Sequence, residues 1–91
     1  MPRVRVRMFA TIREAARVSE TEVEAGSVKE VLTVLKSVFG RRMRIVLEQA
    51  ENDPDKIVVL LNGVNVPVDS GSKTSLRDGD EVSIFPPVSG G

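Results

Sequence analysis

The chain has 91 residues, 13 basic and 13 acidic, with 41% hydrophobic and 29% charged side chains and neither cysteine nor histidine. That length supports one small domain, and the balance of apolar and charged residues is that of a globular chain rather than a disordered one. Cancelled charge leaves no net field to draw the chain to nucleic acid or to an anionic membrane, and the two missing residue types remove disulfides, thiol nucleophiles, the usual proton shuttle and the commonest metal ligands.

Pro2 leads straight into Arg3-Val4-Arg5-Val6-Arg7-Met8-Phe9. Strict alternation here predicts a strand with Val4, Val6 and Met8 on the buried face and the three arginines and Phe9 on the other. No apolar stretch long enough for a secretory signal or a spanning helix is found, so a cytoplasmic chain without a membrane partner is expected. Thr11-Ile12-Arg13-Glu14 has the spacing of a capping box and predicts a short helix through Ala15 and Ala16. Residues 21–25 alternate weakly around an inward Val23, a second strand.

Ser27-Val28-Lys29-Glu30 is a second capping box, and Val28, Val31, Leu32, Leu35 and Phe39 form the apolar stripe of an amphipathic helix that Gly40 is placed to end. Met43, Val46, Leu47 and Ala50 repeat helical spacing between residues 41 and 51, before Asn52-Asp53-Pro54-Asp55 breaks the chain. Residues 57–61 are β-branched and aliphatic and run into Asn62-Gly63, the dipeptide suited to a tight hairpin turn, so residues 64–66 should return as a short strand that Pro67 confines to an edge. Residues 69–75 read as loop, and Asp78-Gly79 as a turn into a last strand over residues 81–85 with Val82 and Ile84 inward. Pro86-Pro87 cannot continue a ladder, so the chain leaves the sheet there. The order of elements is that of an α+β, β-grasp (ubiquitin-like) fold: a mixed sheet of four to five strands on one main helix, a domain over residues 1–86 and a flexible tail over residues 87–91.

Period two puts Phe9 and Phe85 on the open side of two strands that neighbour each other in such a sheet, with Val58 and Leu60 extending the patch. Phe9, Phe85 and Leu60 are candidate docking residues; the competing reading is that the rings fold over the sheet edge or that the register is off by one. Arg3, Arg5 and Arg7 read as a solvated face paired with Glu22, Glu24 and Glu81, ahead of a phosphate or nucleic-acid site. Asp78, Asp80 and Glu81 lack the ligand ladder of a calcium loop and read as a turn, so no metal site is expected.

The start RMFATIREAA over residues 7–16, the hairpin VVLLNGVNV over residues 58–66 and above all the ending LRDGDEVSIFPPVSGG over residues 76–91 resemble the MoaD family, the small ubiquitin-like subunit of molybdopterin synthase, within the MoaD/ThiS superfamily. The resemblance implies a sulfur carrier that is not itself an enzyme and binds no cofactor. An E1-like, MoeB-like adenylyltransferase would use ATP to adenylate the Gly91 carboxylate, and sulfur would then replace AMP to give a thiocarboxylate. A MoaE-like synthase large subunit, in a heterotetramer, would receive the tail. Adenylation makes chemical sense because a carboxylate is a poor electrophile and AMP a good leaving group. Glycine at 91 leaves no Cβ in the way of attack, and Pro87, Val88, Ser89 and Gly90 would thread the partner's channel. Arg13 resembles a partner-contacting basic position. Two further functions share the same tail: a protein modifier joined through Gly91 to lysines, and a sulfur carrier for thiazole, cysteine or thiolated tRNA.

Overall fold

Alternation along β1 (Arg3–Met8) becomes two faces in the computed structural model, which describes residues 1–52, 57–66 and 74–86: Val4, Val6 and Met8 are buried, while Arg3, Arg5 and Arg7 are exposed. β1 pairs antiparallel with β2 (Glu20–Glu24) and parallel with β5 (Glu81–Phe85). β3 (Val58–Leu61) runs antiparallel to β5 and to β4 (Val64–Val66), so the sheet order is β2-β1-β5-β3-β4. The first and last strands are neighbours, as the β-grasp reading expects, and β4 lies at an edge. Pro67, assigned the role of confining it there, lies outside the described residues.

The hairpin between β3 and β4 turns on Asn62 and Gly63, at φ 50° and 85°. Positive φ at both central residues makes the tight turn whose twist matches that of its strands. Asn62 also ties this hairpin to the neck of β5: its Nδ2 donates to Asp80 Oδ1 at 3.0 Å and its Oδ1 accepts from the Glu81 amide at 2.9 Å.

Three helices cover one face of the sheet and leave the other open. In α2 (Val28–Phe39), the Ser27 hydroxyl accepts from the Glu30 amide at 3.2 Å, and Val28, Val31, Leu32 and Leu35 are buried against Val6, Val59, Val82 and Ile84, with Phe39 packed at the margin. α3 (Arg41–Asn52) matches α2 at 12 residues and sends Met43 and Leu47, both fully buried, into the same core. α3 lies against α2 and α1 and adds its side chains to the core that the main helix α2 builds on the sheet. The side chain of Ala50, placed on the same stripe by its spacing, lies outside the described part.

Two local expectations change. α1 (Ala10–Ala16) starts a residue before Thr11, with Phe9 at its N-cap and no side-chain cap bond. The Phe9 amide donates to Ile84 O at 3.2 Å, continuing the ladder, while its carbonyl accepts from the Ile12 amide at 3.1 Å. One residue thus ends the strand and opens the helix, and Ala10 makes the bend at φ 51°. The capping box is displaced because the sheet holds the chain up to Phe9. Ser75, read as the end of a loop, instead forms a bridge with Ser27, flanked by bonds from Leu76 N to Gly26 O and from Val28 N to Thr74 O, and it carries Leu76 into the core at 5% exposure. Residues 69–73, most of that predicted loop, lie outside the described part.

Candidate functional site

The open face of the sheet divides into a charged half and an apolar half, and the register shows why. Arg3 faces Glu24, Arg5 faces both Glu22 and Glu81, and Arg7 faces Glu20, because period two brings the arginines of β1 against the acids of β2 and β5. The ion pairs that close are diagonal, Arg3 Nε to Glu22 Oε2 at 3.7 Å and Arg7 Nη1 to Glu81 Oε1 at 3.3 Å. Such exposed pairs contribute about 0 to 1 kcal/mol each. Most of this half is a solvated charged surface.

Further along the same strands the face becomes aromatic. Phe85 lies opposite Val58 in the β5–β3 ladder, Leu60 lies opposite Ser83, and Phe9 follows β1 beside Ile84 and Phe85. The Phe9 and Phe85 rings stack with centroids 4.2 Å apart and planes 8° from parallel. Each is half-buried, and neither belongs to the core on the helical side. A stacked pair contributes about 0.5 to 1.5 kcal/mol beyond its buried area, so each ring helps to fix the position of the other. Phe9, Phe85 and Leu60 are therefore brought to one face as the periodicity predicts, with Val58 beside them. Arg13 is not part of this group: it is exposed on α1, with no side-chain hydrogen bond or ion pair among the described residues. Pro87, Val88, Ser89, Gly90 and Gly91 lie outside the described residues, whereas the strand that leads to them ends on Phe85.

One feature was missed by grouping the three arginines together. The Arg7 guanidinium lies 5.5 Å from the Phe9 ring centroid while it also reaches Glu81. The signal was available, since Arg7 and Phe9 are two residues apart on one strand face.

The acids near the start of β5 are spent on the backbone. Asp78 Oδ1 accepts from the Arg3 amide at 2.8 Å, and Asp80 accepts from the Arg77 amide at 2.8 Å as well as from Asn62. Those bonds to Asn62 and Arg77 hold the Asp80 carboxyl below the usual carboxylate range. Among the described residues no group of three or more acids is placed to hold a metal ion, and no helix is long and apolar enough to cross a membrane.

A profile of the ThiS family matches residues 6–91. The chain belongs to the ThiS family. A protein assigned as a sulfur carrier in Archaeoglobus fulgidus is 32% identical to this ThiS-family chain, over 97% of its residues and 98% of the relative's. The solution structure of small archaeal modifier protein 1 from Methanosarcina acetivorans is similar with a TM-score of 0.80 and 34% identity, covering 100% of this chain and 98% of that one. A Pyrococcus furiosus protein assigned as molybdopterin converting factor subunit 1 gives a TM-score of 0.68 at 29% identity, covering 97% and 100% of the two chains. These likenesses establish the ubiquitin-like β-grasp fold and a family of small sulfur carriers and modifiers, and they divide between two uses of one scaffold.

Proposed function

We propose that this ThiS-family protein is a sulfur carrier: its Gly91 carboxylate is adenylated by an E1-like enzyme, converted to a thiocarboxylate, and then donates its sulfur in molybdopterin biosynthesis. The observation that carries the reading is that one strand bears both working parts in sequence. β5 presents Phe85 on the open face and leads through Pro86 and Pro87 to Gly90-Gly91. A partner that covers the Phe9–Phe85 stack is then close to where the tail begins, and five extended residues reach at most about 18 Å. In this reading the chain supplies a reactive terminus and a handle, and the ATP chemistry belongs to a MoeB-like activating enzyme. A MoaE-like large subunit then takes the tail. The likeness to the Pyrococcus converting-factor subunit supports the molybdopterin branch.

A second reading has its own support in the likeness to the Methanosarcina modifier: conjugation of Gly91 to lysines of other proteins. Both begin with the same acyl-adenylate and part at the nucleophile that displaces AMP, sulfur in one case and an amine in the other. Intact-mass measurement after incubation with the E1-like enzyme of the same genome, ATP and a sulfur donor is expected to show one oxygen exchanged for sulfur. An unchanged mass removes the carrier reading. Conjugates of higher mass on denaturing gels of native extract, with no thiocarboxylate formed, decide for the modifier.

A further inference from the structure

Arg3, Arg5 and Arg7 look equivalent in the sequence, yet they sit in different surroundings. Arg3 holds a single long contact to Glu22, with two-thirds of its side chain exposed, and Arg5 has no ion pair among the described residues. Arg7 is held at two points: its guanidinium carbon is 5.5 Å from the Phe9 centroid, and its Nη1 donates to Glu81 Oε1 at 3.3 Å. Glu81 and Phe85 are on the same face of β5, so Arg7 stands on the seam between the charged half and the aromatic half. Its side chain is still 48% exposed. A guanidinium has five N–H donors, and Glu81 occupies only one nitrogen, so a planar set of donors is left at the edge of the stacked rings.

The physical consequence follows from what happens when the rings are covered. A partner that buries Phe9 and Phe85 also strips water from the adjoining guanidinium, and the N–H donors that Glu81 leaves unused are costly to bury without an acceptor. A purely apolar partner surface is penalised at that point. One that carries a carboxylate beside its apolar pocket gains a charge-assisted bond to a group whose position is already fixed, with little further ordering cost. Selection of this kind works as much by rejecting the wrong surface as by attracting the right one.

The geometry points to Arg7 as the specificity-determining residue of the aromatic platform, admitting partners that set a carboxylate at the rim of an apolar docking pocket. This rests on the reading of the Phe9–Phe85 face as the docking surface of the carrier. The same pairing of stacked rings and arginine is chemically able to receive a nucleobase and its phosphate, but Glu20, Glu22, Glu24 and Glu81 across the same face oppose a polyanion, so a protein carboxylate is favoured.

The test uses the E1-like enzyme encoded in the same genome, with the full-length carrier as the varied substrate of ATP–pyrophosphate exchange. Arg7→Ala is expected to raise KM about tenfold, the loss of a charge-assisted bond, and to leave kcat unchanged. Arg7→Lys, which keeps the charge but not the planar donors, should recover only part of that loss. The wild-type KM should rise from about 0.1 M to about 1 M salt, as the Debye length falls from about 10 to about 3 Å, and the Arg7→Ala KM should rise less. Equal KM values for wild type and Arg7→Ala at low salt overturn the assignment, as do equal defects in Arg7→Ala, Arg7→Lys and Arg7→Gln with unaltered salt dependence, which is the mark of a merely structural role. Phe85→Ala separates the two layers: if it leaves KM unchanged the docking reading itself fails, and if it raises KM while Arg7→Ala does not, only the specificity assignment fails. Retardation of bulk tRNA by the wild type that is lost in Arg7→Ala would replace the protein carboxylate by nucleic acid and overturn the proposal. Thermal unfolding of each variant verifies that the fold is intact, and Arg7→Gln, nearest in length and still polar, serves where Arg7→Ala is unstable.

Discussion

Asp80 is the residue through which acid reaches the neck of β5. Its carboxylate accepts from Asn62 and from the Arg77 amide, the two bonds that depress its pKa, and Asn62 in turn accepts from the Glu81 amide. A group whose folded pKa lies below its unfolded value stabilises the fold above the unfolded pKa, and that contribution is lost as pH falls through the folded pKa. Asp80→Asn should therefore lower stability at neutral pH, because an amide nitrogen must face one of the two donors, and it should flatten the loss of stability on acidification below about pH 4. Urea titrations at neutral and acidic pH check both halves; parallel losses in wild type and variant would remove Asp80 from the acid response. Beside it, Gly79 sits at φ 89° with no atom within 4 Å of where a Cβ would lie, and its amide donates to Arg3 O at 2.9 Å. Gly79→Ala should thus be destabilising by about 1 to 2 kcal/mol through backbone strain alone, read as a lower urea midpoint with an unchanged slope.

At the scale of elements, what was legible in the sequence is what local chemistry decides. The Ser27 cap, the stripe of α2, the Asn62-Gly63 turn and the alternation of β1 all depend on residues close in sequence, and all are found where spacing places them. Thr11 and Ser75 were misread because distant strands govern them: the ladder with β5 holds Phe9 and so starts α1 early, and the Ser27 segment captures Ser75 and Leu76. α3 shows a local rule broken without a visible return. Its first turn holds Arg41, Arg42 and Arg44 and no acid, although a helix N-terminus carries a partial positive charge. Arg41 is exposed and has no ion pair among the described residues, so Arg41→Glu should raise stability by about 0.3 to 1 kcal/mol at low salt and by less at high salt. A denaturation midpoint that rises equally at both salt concentrations would point to another cause.

For the whole molecule, the sulfur-carrier reading divides folding and function along the chain, and the face that would present the tail is completed by strands distant in sequence. In that reading Gly90-Gly91 is named from its own residues, whereas the stack of Phe9 on Phe85, whose shared face period two predicts, forms only when two strands about 75 residues apart in sequence become neighbours. Among the described residues every buried core residue, from Val4 to Ile84, precedes Pro86. If that core is sufficient for folding, removing Gly91 should move the midpoint of thermal unfolding by no more than about 2 to 4 °C, the shift that about 0.5 kcal/mol produces in a domain of this size. Adenylation should nevertheless be abolished. Activation needs a carboxylate at the depth the enzyme's ATP site dictates, and a chain shorter by one residue withdraws it by about 3.5 Å, beyond the tolerance of a near-attack geometry. One added residue should fail for the converse reason, its carboxylate displaced by the same distance. Mass spectrometry after incubation with the E1-like enzyme, ATP and a sulfur donor measures the outcome on both variants, and thermal unfolding is measured on the same samples. A shortened chain that still gains sulfur would move the reactive carbonyl away from Gly91, while one that fails to fold would show that the tail supports the domain.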